Sequence, residues 1–240
     1  MHKDLYEKFL DNIREHFSLS SNSIHKARNE IKIIEYEDKK LVVKSFKIPS
    51  LLNKIIYTFF RESKAKKSYD NSIKIKEFAP NPIGYRIFKK FGLIEKSYFV
   101  SENFEYDFTI REPLLDRNFE DKEAIFKAFA KFTYDLHQNS IFHLDYSPGN
   151  ILIKKSLDGY IFKIVDINRM KFITLSHDER LKNFSKLWAK DEDMEIIIRE
   201  YAKHIDIDTQ VAIKKAIYYS QRNKDIKNFK KRLKGIEVVD

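Results

Sequence analysis

The run His143-Leu144-Asp145-Tyr146-Ser147-Pro148-Gly149-Asn150 leads straight into Ile151-Leu152-Ile153, and Val165-Asp166-Ile167-Asn168 follows shortly after. No other part of the chain restricts its fold as tightly. Asp158-Gly159 is a hairpin turn signal between two apolar runs. The spacing therefore predicts a helix ending over residues 133–139, a polar loop, a strand at 151–153, a tight turn and a returning strand over 160–167. An Asp then stands at the end of the second strand. Any one of these residues would suit an ordinary cap or turn; the ordered set carries more, because spacing and context agree.

Read as H-x-D-x-x-x-x-N, a strand pair and an Asp, the segment is similar to the catalytic segment of protein-kinase-like enzymes. Moving a γ-phosphoryl group requires positioned Mg²⁺ and a carboxylate that orients the attacking hydroxyl and accepts its proton. Asp145 is the candidate carboxylate. Asn150 offers a neutral amide oxygen to a metal ion, and Asp166 a charged one. His143 reads as a support for the loop backbone rather than as a base.

Composition sets outer bounds. A chain of 240 residues accommodates one domain with two parts, or two small domains. Its 42% hydrophobic and 14% aromatic content supports a real core, and only 5 Gly and 5 Pro argue against long flexible linkers. Without Cys there is neither a disulfide nor a thiolate metal site, which fits a reducing compartment. No run is long enough to cross a bilayer, and Met1-His2-Lys3-Asp4 does not open a signal peptide. These features lead us to expect a cytoplasmic protein, soluble or peripheral on the inner membrane. The net charge of +10 favours an anionic partner, against the plainer explanation of a generally lysine-rich background. Helix-turn-helix, zinc and aromatic RNA-binding signatures are lacking, so nucleic acid is not expected as a partner.

Along the chain, Leu5, Phe9, Ile13 and Phe17 recur at helical spacing and predict one amphipathic helix. Residues 30–36 and 40–46 read as strands around Glu37-Asp38-Lys39. Residues 53–78 form a long basic helical stretch ended by Pro80 and Pro82. Residues 83–88 and 94–100 read as a strand pair joined at Phe91-Gly92, and residues 101–116 as acidic and irregular. A helix follows over 121–138, with Ile125, Phe129, Phe132 and Leu136 on one face. From His177 to about Lys234 the pattern is helical. This order gives an α+β, protein-kinase-like fold: a small β-rich, nucleotide-holding part over residues 1–102, and a larger helical part over 103–240 with the catalytic loop and metal site.

Such a site needs a strand lysine for the nucleotide phosphates. Lys44 fits, on one strand face with Val42, while Val43 and Ser45 take the other; Lys47 and Lys40 compete for the role. A helical carboxylate should pair with it, from Glu62, Asp70 or Glu77, and Asp70 is preferred for its mid-helix place. A Gly-rich phosphate loop is missing; Arg28 and Asn29, with nearby backbone amides, are the substitutes for phosphate contact.

Beyond these single residues, Ala27-Arg28-Asn29, Val43-Lys44-Ser45-Phe46, Arg61-Glu62-Ser63-Lys64-Ala65, Pro80-Asn81-Pro82-Ile83, Ser97-Tyr98-Phe99-Val100, the catalytic loop and Val165-Asp166-Ile167-Asn168-Arg169-Met170 resemble the lipopolysaccharide core (Kdo/heptose) kinase family. The resemblance spans about residues 25–190. It implies ATP and Mg²⁺, and a sugar hydroxyl of the lipid A–core region as acceptor. By position, Asp145 matches the base, Asn150 and Asp166 the metal ligands and Lys44 the phosphate lysine. Asn168 replaces a Gly, which suggests a fixed loop rather than a flipping one. Small-molecule and protein kinases share the motif, and a non-catalytic pseudokinase would share the fold. Two basic segments, Arg61 to Lys67 and Arg222 to Lys234, suit an anionic membrane surface, the second with Ile226, Phe229 and Leu233 at helical spacing. A packed final helix with a solvated charged face explains the second equally well.

Overall fold

The computed structural model describes residues 2–26, 29–47 and 50–236. The chain divides into two compact units. Met1–Glu105 with Asp166–Asn168 make the first; Tyr106–Val165 with Arg169–Asp240 make the second.

The first unit holds α1 (His2–Asp11), α2 (Ile13–Leu19), β1 (Ser23–Lys26), β2 (Glu30–Tyr36), β3 (Lys39–Phe46), α3 (Leu51–Phe59), α4 (Lys64–Ile75), β4 (Pro82–Lys90) and β5 (Leu93–Glu102). Its strands form one antiparallel sheet in the order β1-β2-β3-β5-β4. Strand alternation splits the apolar residues between the two faces. Leu41, Val43, Tyr98 and Val100 pack with Phe9, Ile13 and Phe17 of the first two helices. On the other face Phe46 and Phe99 pack with Ala65 and Tyr69 of α4. Burial of such side chains contributes about 1.5–3 kcal/mol each. Gly84 lets α1 approach β4: a Cβ there would stand 2.5 Å from Leu10 Cδ1. Phe91 and Gly92 both take positive φ (51° and 76°), the backbone of a tight hairpin turn.

Two helices replace the single one expected at the start. Asn12 sits between them at φ −99°, ψ 16°, and its Nδ2 donates to the Lys8 carbonyl at 3.1 Å. The expected stretch over 53–78 also divides. Ser63 opens α4 by accepting from the Lys66 N–H at 3.1 Å, and a new helix start ends the old one. Strand β1 was not anticipated, since its Ser-Ile-His-Lys sequence carries little alternation.

The second unit contains β6 (Phe108–Thr109), α5 (Arg111–Leu115), α6 (Lys122–Gln138), β7 (Ile141–His143), β8 (Ile151–Ser156), β9 (Gly159–Ile164), β10 (Met170–Phe172), α7 (His177–Asn183), α8 (Asp191–Ala202) and α9 (Thr209–Arg232). Strands β6, β8 and β9 form one small sheet, and β7 pairs with β10. Ile125, Phe126, Phe129 and Leu136 of α6 are buried with Phe184, Ile197, Ile198 and Tyr201. Residues 101–116, expected to be irregular, contain the end of β5, then β6 and α5. The returning strand stops at Ile164 rather than Ile167, because Asp166 takes φ 56°, outside the extended region. The result is a mixed α+β fold, with a β-rich N-terminal sheet and a helical C-terminal part.

Candidate active site

In the second unit the loop from His143 to Asn150 hangs on a buried polar chain. Tyr201 Oη lies 2.7 Å from His137 Nδ1, and His137 Nε2 lies 3.1 Å from Asn183 Oδ1. Asn183 Nδ2 donates to the His143 carbonyl at 3.0 Å. His143 Nδ1 accepts from the Asp145 N–H at 3.0 Å, and its Nε2 lies 3.0 Å from the Val165 carbonyl. With both rings neutral, one tautomer pattern satisfies every link. Each imidazole is neutral with its proton on Nε2: His137 donates to the Asn183 oxygen, His143 to the Val165 oxygen. Burial pushes His137 down to about 4, outweighing the opposing hydrogen bond from Asn183. His143 therefore braces the backbone on both sides of the loop.

Tyr146 completes the anchorage. It is fully buried, its hydroxyl 2.8 Å from Thr133 Oγ1, and burial holds its phenol well above the usual range. Asn150 Nδ2 donates to the Asp145 carbonyl at 2.9 Å, so the orientation of its amide is set and Oδ1 remains an acceptor. Against this background the Asp145 carboxylate is 45% exposed; its charged neighbour is Arg169, with Nη1 3.9 Å from Oδ2.

Further cations stand close by. Burial and the charge of Lys227 lower Lys186, with Lys182 and Arg169 adding to the effect and Asp145 opposing it. Lys186 Nζ is 3.4 Å from Asn223 Oδ1, and Asn223 in turn donates to the Ser185 carbonyl at 2.9 Å. Lys227 and Lys231 lie 5.7 and 5.8 Å from the ring of Trp188, which takes the left-handed conformation at φ 59°. The basic end of α9 is thus pinned beside the segment that carries Lys186.

The first unit holds the other half of the expected residues. Lys44, on the same β3 face as Phe46, places Nζ 2.6 Å from Asp166 Oδ1. Asn168 Nδ2 donates to that same oxygen at 2.6 Å. Asn71 on α4 donates to the Ile167 carbonyl, also at 2.6 Å. The 166–168 segment is therefore tied to a strand lysine, a helix amide and its own Asn168, which holds the left-handed Asp166 in place.

Asp70 does not meet Lys44. It pairs with Lys66 at 2.6 Å, and Lys66 also bridges to Glu62 at 2.7 Å. Together these carboxylates, Asp70 first, hold the Lys66 ammonium well above its ordinary range. Helical periodicity gives the reason. Ser68, Ser72 and Ile75 are buried, Asn71 shares their side of α4, and Asp70 is turned about 100° away from Asn71. Asn29 Oδ1 accepts from the Lys47 N–H at 3.3 Å; Arg28 lies outside the described residues.

Sequence reading missed Asn71 and Asn183. Neither has a motif around it, and only tertiary structure brings each to its carbonyl. Among the described residues no three His, Asp or Glu side chains are grouped as a metal cage. An amide oxygen such as that of Asn150 and a carboxylate such as that of Asp166 are each, taken singly, a ligand type that Mg²⁺ accepts.

Comparisons with known proteins bear on the fold alone. No family model matches the chain, and no curated protein does. Among solved structures it is similar to "WaaP in complex with acyl carrier protein", with a TM-score of 0.59 at 12% identity over 92% of this chain and 95% of that one. The likeness extends to 1305 chains, so it fixes architecture and leaves the acceptor undetermined.

Proposed function

We propose that this protein is an ATP-dependent phosphotransferase acting on a sugar hydroxyl of the lipid A–core region of lipopolysaccharide. The observation that carries the reading is the Asp145 loop: a half-exposed carboxylate on a backbone held by buried neutral hydrogen bonds. A base that must meet a substrate hydroxyl needs that combination of access and fixed position. Asp145 orients the hydroxyl and takes its proton. Lys44 is assigned to the nucleotide phosphates, and Asn150 Oδ1 and Asp166 to Mg²⁺. When bound, the metal neutralises charge developing on the phosphoryl oxygens. The Lys44–Asp166 pair at 2.6 Å holds both side chains in position, where Lys44 would meet phosphate and Asp166 a metal ion.

The choice of acceptor is supported by two things: the motif-by-motif resemblance to the lipopolysaccharide core kinases and the cations around Asp145. Arg169 and Lys186 suit an acceptor that carries its own negative groups. Peripheral membrane attachment is supported by the end of α9, where Ile226, Phe229 and the following Leu233 are exposed among lysines; among the described residues no helix is long and apolar enough to cross a membrane. Mass spectrometry of lipid A–core from a deletion strain tests the acceptor. Loss of one phosphate, restored by the wild-type gene and not by Asp145→Ala, is the expected result. An unchanged phosphate count rejects this acceptor.

A further inference from the structure

Helix α3 is built inside out. A surface helix normally turns its apolar stripe toward the core and its polar face to water. At about 100° per residue, Leu51, Leu52, Ile55 and Phe59 share one continuous arc of α3. These four side chains are 69, 69, 40 and 69% exposed, and Phe60 just beyond them is 79% exposed. No residue of the helix is buried. The arc turned toward the protein carries Lys54, Ile56, Tyr57 and Thr58, each only half-buried. Thr58 Oγ1 accepts from the Ile94 N–H of β5 at 3.0 Å, and Asn53 and Tyr57 line a cavity of about 450 Å³.

Single apolar side chains on a surface need no explanation, but a contiguous group of this size marks a contact surface. Charge indicates what it contacts. Residues 47–67 contain six Lys or Arg and one acid, Glu62. Glu62 is bound to Lys66 at 2.7 Å. Lys47 and Lys64 line the cavity, and its one carboxylate, Glu95, is held by Arg14 at 2.8 Å. A second copy docked here by a two-fold axis would set this positive surface against itself. A lipid surface with anionic headgroups matches both properties at once.

We propose that α3 docks this protein on an anionic phospholipid surface. The arc from Leu51 to Phe59 lies in the boundary between headgroups and acyl chains, and the exposed Lys47 and Arg61 meet lipid phosphates. At nine residues α3 is about 13 Å long, so it lies in the interface and does not span it. The inference rests on the first unit alone and makes no use of the phosphoryl-transfer reading.

Sedimentation of the full chain with vesicles tests it. Phosphatidylcholine vesicles containing phosphatidylglycerol should carry the protein down, and phosphatidylcholine alone should not. Leu52→Ser/Phe59→Ser should weaken partitioning about tenfold or more, with Tm unchanged because both side chains are already in water. Lys47→Gln and Arg61→Gln should each weaken it about fivefold, and salt should weaken the wild type. Three results would overturn the proposal. The first is partitioning that survives Leu52→Ser/Phe59→Ser and is lost only in Phe229→Ser/Leu233→Ser at the end of α9. The second is a wild-type dimer that Leu52→Ser/Phe59→Ser converts to a monomer. The third is a wild type that ignores vesicles, whether or not it binds purified acyl carrier protein through the same residues.

Discussion

The loop around Asp145 and the segment around Asp166 are held by opposite means. Buried, neutral hydrogen bonds fix the first: His137, Asn183, His143, Tyr146 and Thr133 all lie in the interior. A charge pair and two amide contacts fix the second, where Asp166 is 33% exposed and its backbone is left-handed. The difference teaches where each region's importance lies. The Asp145 loop is part of the core, so disturbing it should cost stability first. The Asp166 segment stores little stability and presents charge, so disturbing it should cost function first.

Asp166→Asn presses hardest on that contrast. Asn tolerates the left-handed backbone, so the fold should survive with Tm moved by no more than about 2 °C. On the proposed role of Asp166 as the charged ligand of Mg²⁺, the change is worth several kcal/mol, so phosphoryl transfer should fall about a thousandfold. A large drop in Tm with activity retained would reverse the roles of the two regions.

Acid should act on the other region. Folding holds His137 at about 4, down from its ordinary 6.5, so the unfolded chain binds a proton in this range that the folded chain does not. Stability from this group is complete above pH 6.5 and is lost as pH falls toward 4, by about 3 kcal/mol in all. Urea unfolding of wild type and His137→Gln across that window should show the variant's pH dependence flattened by this amount. Parallel curves would remove His137 from the explanation.

Asn183→Ala sharpens the same point by cutting the chain at its middle. It strands the His143 carbonyl and the His137 N–H in the interior, so stability should fall by about 2–3 kcal/mol. The smallest effect is expected at Lys66→Ala. This lysine bridges Glu62 and Asp70 on an accessible helix face, so neither Tm nor ATP affinity should change, whereas Lys44→Met should weaken ATP binding. If Lys66→Ala weakened ATP as much as Lys44→Met does, the helical carboxylates would belong to the nucleotide site after all.

These contrasts also show what could be read from the chain. Strand alternation put Lys44 on one face of β3 with Val42, because period two is a local property. The hairpin after Ile151 was equally local, with Gly159 at its turn. Asp70 failed as a partner for Lys44 because mid-helix position does not fix which way a side chain turns; the packing of Ser68 and Ser72 does. Asn71 and Asn183 were illegible for a related reason. Each acts through one amide on a distant backbone carbonyl, and no local pattern marks such a contact. The division of residues 53–78 depended on Ser63 as a cap, a signal present in the sequence but weak beside a continuous run of helix formers.

The most direct test is the rate of phosphoryl transfer from Mg²⁺-ATP to purified lipid A–core by wild type and Asp145→Asn, with ATP affinity measured alongside. A fall of about 10²–10⁴-fold in transfer, with ATP bound as tightly as before, is the expected result. Equal transfer by the two proteins would contradict the assignment of Asp145 as the base and, with it, the reading of the loop that carries it.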